Sequence, residues 1–197
     1  MMMTLRTALC ASLAAFLVGC AAQPETHYYD LMAQSEASDA RLTESVTLGI
    51  GPVSLPQMLD RPNIVVRKGG TQVNVANFHI WAGELEPVFT RVLAENVSLQ
   101  LKHDAVWPSP WDNRFRPEYQ VRIFVDRFSG ELKGPVSLSL SWTLLADYGQ
   151  RVVTTQRYRS VLHSDGSYQA YVQALNGLLE GFSGELASEL AQSIPQK

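Results

Sequence analysis

The stretch Val136-Ser-Leu-Ser-Leu-Ser-Trp-Thr-Leu144 places an apolar side chain at every second position, with a serine or threonine between. Successive side chains of a β-strand point to opposite faces, so a period of two predicts one buried face and one face in water. This is the clearest strand pattern in the chain. It predicts a sheet whose apolar side is covered by other elements and whose serine side is exposed.

Similar patterns lie on both sides of this segment. Apolar and polar residues alternate over 119–125, and residues 152–161 are rich in β-branched and aromatic types. The connections 129–135 and 147–150 are short and turn-like. Short connections between neighbouring strands are typical of antiparallel pairs, so these three strands are predicted to form a meander.

The rest of the chain supplies further strands and two helices. Strands are predicted at 27–31, 47–53, 63–67 and 71–76, the last two joined by a hairpin turn at Lys68-Gly-Gly70. Apolar residues at helical spacing predict one helix that starts near 84–86 and another over 167–193. We therefore predict an α/β fold of the α+β-like kind: a single domain with a mixed, largely antiparallel sheet of five or six strands and two main helices.

Three glycines interrupt the second predicted helix, at Gly177, Gly181 and Gly184. Each costs about 1 kcal/mol relative to alanine in a helix, so each needs a reason. Close packing of the helix on the sheet, or a kink, is one explanation. A groove or a partner contact is the other, and we favour packing.

The N-terminus resembles the leader of a bacterial lipoprotein. A positive charge at Arg6 precedes an apolar run over 7–18, which is too short to span a bilayer, and Leu17-Val-Gly-Cys20 follows as a lipobox. This predicts a signal peptide at 1–19, a diacylglycerol and an N-acyl chain on Cys20, and a lipidated tether at 20–26 before a domain at 27–197. In Gram-negative lipoproteins, an aspartate directly after the cysteine retains the protein in the inner membrane. Ala21 occupies that position here, which favours location in the outer membrane. A buried amphipathic helix with a chance cysteine is the alternative.

Composition and motifs exclude several function classes. The formal net charge is −3 and no basic stripe is present, which argues against nucleic-acid binding. Cys10 falls in the predicted leader, and Cys20 would be acylated. The mature chain would then have no free thiol for a disulfide, thiol catalysis or a cysteine zinc site. Neither GxxxxGK[ST] nor GxGxxG occurs, so no nucleotide cofactor is predicted.

Catalytic and metal signatures are absent as well. The four histidines are scattered without ligand spacing, so no metal site is predicted. His163-Ser-Asp165 has the letters of a catalytic triad, but adjacent side chains cannot converge as a triad requires. Asp165 or Ser167 is better interpreted as the cap of the second helix. No catalytic residue is therefore assigned, and an enzyme is not predicted.

The tryptophans divide into core and candidate contact residues. Trp142 lies in the alternating strand and is predicted to be core. Trp107 and Trp111 lie in the proline-rich segment 104–117, which is predicted to lack regular structure. They are candidates for a partner or membrane contact.

Several segments resemble the family of ABC-type transport auxiliary lipoproteins. They are Leu48-Gly-Ile-Gly-Pro-Val-Ser-Leu-Pro56, Leu59-Asp-Arg-Pro62, Ile64-Val-Val-Arg67, Trp81 as the opening of the first helix, and Tyr119-Gln-Val-Arg-Ile-Phe-Val-Asp-Arg-Phe128. The resemblance covers residues 26–194. Its motifs are structural and mark no reaction.

The resemblance implies an accessory lipoprotein that docks on an MCE-domain protein of a lipid transport system, supports envelope integrity and self-associates. It would be anchored in the inner leaflet of the outer membrane and face the periplasm. Pro56, Arg61, Pro62 and Trp81 are the candidate partner-binding residues, although each could serve only to hold the fold. A periplasmic lipid-binding carrier is the alternative function, and a hydrolase is a third that lacks a nucleophile–base signature.

Overall fold

The strand pattern around Trp142 is the centre of a five-stranded sheet in the computed structural model. The structure describes residues 24–34, 40–42, 45–112 and 114–195. Its strands are β1 His27–Tyr29, β2 Leu48–Ser54, β3 Asn63–Arg67, β4 Val73–Trp81, β5 Val106–Pro108, β6 Tyr119–Gly130, β7 Lys133–Ala146 and β8 Arg151–Asp165. Its helices are α1 Leu85–Leu101 and α2 Tyr168–Ser193, and a 3-10 turn spans Gln57–Leu59.

The larger sheet has the strand order β5-β2-β6-β7-β8. β6, β7 and β8 are antiparallel neighbours, so the predicted meander is confirmed. β5, β2 and β6 are parallel to one another. Within β7, the alternating apolar side chains from Val136 to Leu144 are at most 1% exposed, while the serines between them are partly exposed, as the alternation predicts.

The smaller sheet has the order β1-β4-β3. β3 and β4 form the predicted antiparallel hairpin, and β1 lies parallel to β4 on its other edge. The α+β class and the two helices are thus confirmed, with the strands divided between two sheets.

Tyr171 links the two sheets: its hydroxyl donates to the carbonyl of Val65 in β3 (3.0 Å) and accepts from the N–H of Gly130 in β6 (3.1 Å). Burial raises the pKa of Tyr171 to about 12.

Both helices cover the same face of the five-stranded sheet. α2 packs on β7 and β8 and against α1, which in turn packs on β2 and β5. A methyl group at Gly177 would lie 3.0 Å from Leu162 of β8, and one at Gly184 would lie 3.3 Å from Gln100 of α1. The packing interpretation of these glycines is therefore confirmed, because both positions are in close contact with neighbouring elements.

Two predictions differ from the structure. The segment 104–117 contains the short strand β5, which pairs with β2 at the edge of the sheet, where proline is tolerated. β4 continues to Trp81, so Trp81 ends a strand and does not open a helix. The start of α1 is confirmed: the helix begins at Leu85, within the predicted 84–86, with Pro87 in its first turn, where the missing N–H of proline would have no helical partner anyway. The cap of α2 is Ser167, whose hydroxyl accepts from the N–H of Ala170.

Candidate partner-binding site

The turn between β2 and β3 carries three of the four candidate residues. The carbonyl of Pro56 accepts from the N–H of Leu59 at 2.8 Å, which closes the 3-10 turn, and the N–H of Arg61 donates to the carbonyl of Leu59 at 2.8 Å. These bonds turn the chain sharply before β3. Arg61 and Pro62 are exposed as a result, whereas Pro56 is half-buried at the start of the turn.

Trp81 reaches the same place from the end of β4. Its backbone N–H donates to the carbonyl of Pro62 at 2.7 Å, which joins the end of β4 to the start of β3. Its side chain belongs to the hydrophobic core and is only 7% exposed. Trp81 therefore supports the floor of the site and presents little surface of its own.

These segments enclose an open cleft of about 410 Å³, here called the Arg61 cleft. Arg61, Pro62 and Trp81 line it on one side, and the residues that lead into α1 line the other: Ala82, Gly83, Glu84 and Leu85, with Asp60 between. Pro56 does not line the cleft. A second depression of about 380 Å³ continues from it between the 3-10 turn and the first turn of α1.

The charges of the Arg61 cleft are mostly negative. Asp60 and Glu84 line it together with Arg61, and Glu86 lines the adjoining depression. Over the described ranges, no carboxylate lies within 4.0 Å of the Arg61 guanidinium. An exposed arginine with no ion pair is available to a carboxylate of a partner, and arginine is enriched among residues that dominate binding at interfaces.

Sequence reasoning missed the side of the cleft formed by residues 82–85. It placed the start of α1 correctly, but it had no means of bringing that start next to the turn at Pro62. The only available signal was the pair of acidic residues Glu84 and Glu86, which was attributed to the helix dipole.

Trp107 and Trp111 have different environments. Trp107 is 50% exposed on β5, with Phe115 packed edge-on at a centroid distance of 5.7 Å. Trp111 lies against Gly49 of β2, where an added methyl group would come within 2.5 Å of its ring and of Pro117. Trp111 is therefore a packing residue of the sheet, and Trp107 keeps an exposed ring. Trp142 is core, as predicted.

A cluster of aromatic rings joins the small sheet to α2. His79 of β4 is stacked between His27 of β1 (5.1 Å between centroids) and Tyr168 of α2 (3.8 Å). The Tyr29 hydroxyl lies 2.8 Å from Nδ1 of His79. Burial and the neighbouring His27 lower the pKa of His79, and burial raises the pKa of Tyr29. Nowhere in the described parts do three or more possible metal ligands cluster.

This cluster predicts a pH-dependent stability. The folded protein holds the pKa of His79 below its value of about 6.5 in an unfolded chain. The unfolded state then binds more protons as the pH falls, so the contribution of His79 is complete above about pH 6.5 and is lost below it. We expect the free energy of unfolding in urea to fall less between pH 7.5 and 5.5 in His79→Gln than in the unmodified protein.

His163→Gln is the matched control, because His163 is exposed near the end of β8. We expect it to keep the pH dependence of the unmodified protein. Identical slopes for His79→Gln and the unmodified protein would contradict the prediction.

Cys20 and the predicted leader lie outside the described residues, so the predicted acylation site has no structural description. Pro24–Thr26 of the predicted tether are exposed and have no regular secondary structure. No helix in the described ranges is long and apolar enough to cross a bilayer.

Comparison with known proteins gives one consistent result. The chain is 26% identical over 179 residues to the intermembrane transport lipoprotein PqiC of Escherichia coli K12 and to PqiC of Shigella flexneri, covering 90% of this chain and 93% of each relative. Its fold matches the crystal structure of protein XCC0632 from Xanthomonas campestris, with a TM-score of 0.72, 20% identity, and coverage of 85% of this chain and 96% of the other. An uncharacterized protein of known structure matches with a TM-score of 0.67 and 22% identity over 85% and 99%.

The profile that describes the ABC-type transport auxiliary lipoprotein component matches residues 29–187, from β1 to the last third of α2. This range includes the whole larger sheet, β3 and β4 of the smaller sheet, and the whole Arg61 cleft. The chain therefore belongs to the family of ABC-type transport auxiliary lipoprotein components.

Proposed function

We propose that this protein is an accessory lipoprotein of an MCE-type lipid transport system between the inner and outer membranes. It is anchored through Cys20 in the inner leaflet of the outer membrane, faces the periplasm, and docks on an MCE-domain protein, in support of envelope integrity. One structural observation carries the docking role: Arg61 and Pro62 of the β2–β3 turn meet Trp81 of β4 in one surface cleft.

The family and its relatives support the transport role. The family description is that of a transport auxiliary lipoprotein, and the PqiC proteins are described as intermembrane transport lipoproteins. The lipobox before Cys20 supports an anchor independently of both. We also propose that the folded domain self-associates, so that an oligomer of this protein docks on an oligomer of the MCE-domain protein.

The Arg61 cleft suits a protein partner better than an acyl chain. A buried acyl chain needs an apolar cavity, because charged groups left without water are costly. Asp60, Arg61 and Glu84 line the Arg61 cleft and are exposed. A polar segment of a partner can pair with these groups, which an acyl chain cannot do.

A pull-down from envelope membranes tests the proposal. The bait is the Cys20-bearing protein, in parallel with a soluble version that begins at His27. Recovery of an MCE-domain protein by both baits would support docking through the folded domain, with the lipid as anchor. Recovery of phospholipid without any MCE-domain protein would overturn the docking role and favour a lipid carrier.

Arg61→Ala should weaken capture of the MCE-domain protein about five- to tenfold, the loss expected when a binding arginine is truncated. The melting temperature should stay within about 1 °C, since surface substitutions rarely change stability by more than about 0.5 kcal/mol. Trp81→Ala should lower melting temperature and capture together, because this side chain is buried.

Arg151→Ala is the control for charge. Arg151 is an exposed arginine at the turn between β7 and β8 that pairs with Asp147, and exposed ion pairs contribute little to stability. Equal capture by Arg61→Ala and Arg151→Ala would contradict a docking role for Arg61.

A further inference from the structure

The outer face of the five-stranded sheet, opposite the helices, carries a concentration of arginines. The strand register places Arg127 of β6, Ser139 of β7 and Arg159 of β8 in one row across the sheet. Neighbouring strands are about 4.8 Å apart, so two arginines flank one serine within about 10 Å. A neighbouring row contains Phe124, Ser141 and one further arginine, Arg157.

A third arginine, from the small sheet, lies beside the adjoining row of Ser129, Ser137 and Val161. Arg67, the last residue of β3, donates from Nε to the Ser129 hydroxyl at 3.3 Å. The Ser137 hydroxyl donates to the carbonyl of Ser129, also at 3.3 Å. These bonds hold the Arg67 side chain beside the serines.

The three arginines line a cleft of about 680 Å³, the largest of the clefts described here. Its other walls include the glycines of the β3–β4 turn, the three serines Ser129, Ser137 and Ser139, and the side chain of Val161, which is 49% exposed. We call it the arginine–serine cleft. Pro62 of the Arg61 cleft directly precedes β3, whereas Arg67 is its last residue, so the two clefts lie at opposite ends of this strand.

The arginines of this cleft form no ion pair with a carboxylate of the described residues. Asp126 and Glu131 also line it, but across the described segments neither carboxylate lies within 4.0 Å of Arg67, Arg127 or Arg159. The protein as a whole has a net charge of −3, whereas the charged residues that line this cleft are mostly positive. Three arginines outnumber the two carboxylates in the lining, and an excess of positive charge favours binding of an anion.

We infer that the arginine–serine cleft binds a phosphate-bearing ligand, such as the phosphodiester headgroup of a glycerophospholipid. A guanidinium presents its N–H groups as a planar fork that matches phosphate oxygens two at a time. A phosphate has enough oxygens to accept from two or three arginines and from serine hydroxyls at once. Val161 adds an apolar wall for the carbon atoms next to the phosphate. This site goes beyond the proposed function and does not depend on docking.

Binding to the full-length lipoprotein in a nonionic detergent tests the inference. The probes are dihexanoylphosphatidylglycerol and inorganic phosphate, followed by ³¹P line broadening. We expect the double variant Arg127→Gln/Arg159→Gln to bind the phosphate probe at least tenfold more weakly than the unmodified protein. Ser139→Ala, which keeps every charge, should weaken it two- to fivefold.

Arg91→Gln is the matched control. It removes one positive charge from α1, on the other side of the sheet, where Arg91 pairs with Asp30 and Glu95. It should bind like the unmodified protein, and unchanged melting temperatures should accompany all these exposed substitutions. Partition of the lipid probe into detergent is the same for every variant, so only the differences between variants report on the cleft.

The two probes separate the sources of phosphate. Binding of the phosphatidylglycerol alone, lost in the double variant, supports a lipid headgroup site. Binding of inorganic phosphate with the same loss supports a site for free phosphate. Absence of binding by the unmodified protein, or equal weakening in Arg91→Gln and the double variant, would overturn the inference. A poly-glutamate peptide that binds in place of both probes would also overturn it and assign the cleft to an acidic partner.

Discussion

Replacement of Trp142 with alanine is expected to lower the free energy of unfolding by about 3–5 kcal/mol. Trp142 is 1% exposed in the middle of β7, between Ile123 of β6 and Gln156 of β8. Removal of the indole leaves a cavity between the sheet and the helices, which a close-packed core fills only in part. For a chain of this length the melting temperature should fall by roughly 6–20 °C.

Trp142→Phe is the matched control. It keeps an aromatic ring in the core and removes the indole nitrogen, which is buried and has no hydrogen-bond partner among the described residues. Loss of an unsatisfied polar group offsets part of the lost packing, so we expect a cost of about 1–2 kcal/mol. Urea unfolding followed by far-UV circular dichroism measures both variants. A loss below about 1 kcal/mol in Trp142→Ala would contradict the central position of this side chain.

The same segment shows what the sequence could predict. A strict alternation over 136–144 determines which face of β7 is buried, and the short connections to β6 and β8 determine its neighbours. Both features are local, and both were confirmed. The division into two sheets was not predictable in this way, because β1 pairs with β4 in parallel about fifty residues away. Such a pairing leaves no turn signal between the strands.

β5 shows how a local rule was applied too broadly. Three prolines between residues 104 and 117 argue against regular structure, and most of that segment is indeed irregular. The three residues Val106–Pro108 nonetheless pair with β2 at the edge of the sheet. An edge strand needs ladder hydrogen bonds on one side only, so a proline at its end is tolerated.

The two clefts differ in how far the sequence could reveal them. Arg61 and Pro62 are adjacent in the chain and were identified through their motif. The arginine–serine cleft depends on a register shift between Val125 and Arg127. Strict alternation from the buried Val125 would point Arg127 into the core, and the irregularity at Asp126 turns it to the outer face. A one-residue irregularity of this kind has no clear signature in a single sequence.

Replacement of Cys20 with serine is expected to abolish acylation of the protein. Cys20 is the only cysteine outside the predicted leader, so no other thiol can receive the diacylglycerol. Burial of acyl chains contributes about 0.8 kcal/mol per CH₂, and stable anchoring needs more than one chain. The seven peptide steps from Cys20 to His27 span at most about 25 Å, which would hold β1 close to the membrane.

Metabolic labelling with an alkyne fatty acid, followed by capture of the protein, measures the effect directly. Labelling should fall to background in Cys20→Ser and stay at the unmodified level in Cys10→Ser. The two variants make the same chemical change ten residues apart, and Cys10 belongs to the predicted leader, which cleavage at the lipobox would remove. A label that survives in Cys20→Ser, or is lost in Cys10→Ser, would contradict the lipobox interpretation. The expected pattern would place the folded domain on a short tether, within reach of both the membrane and a periplasmic partner.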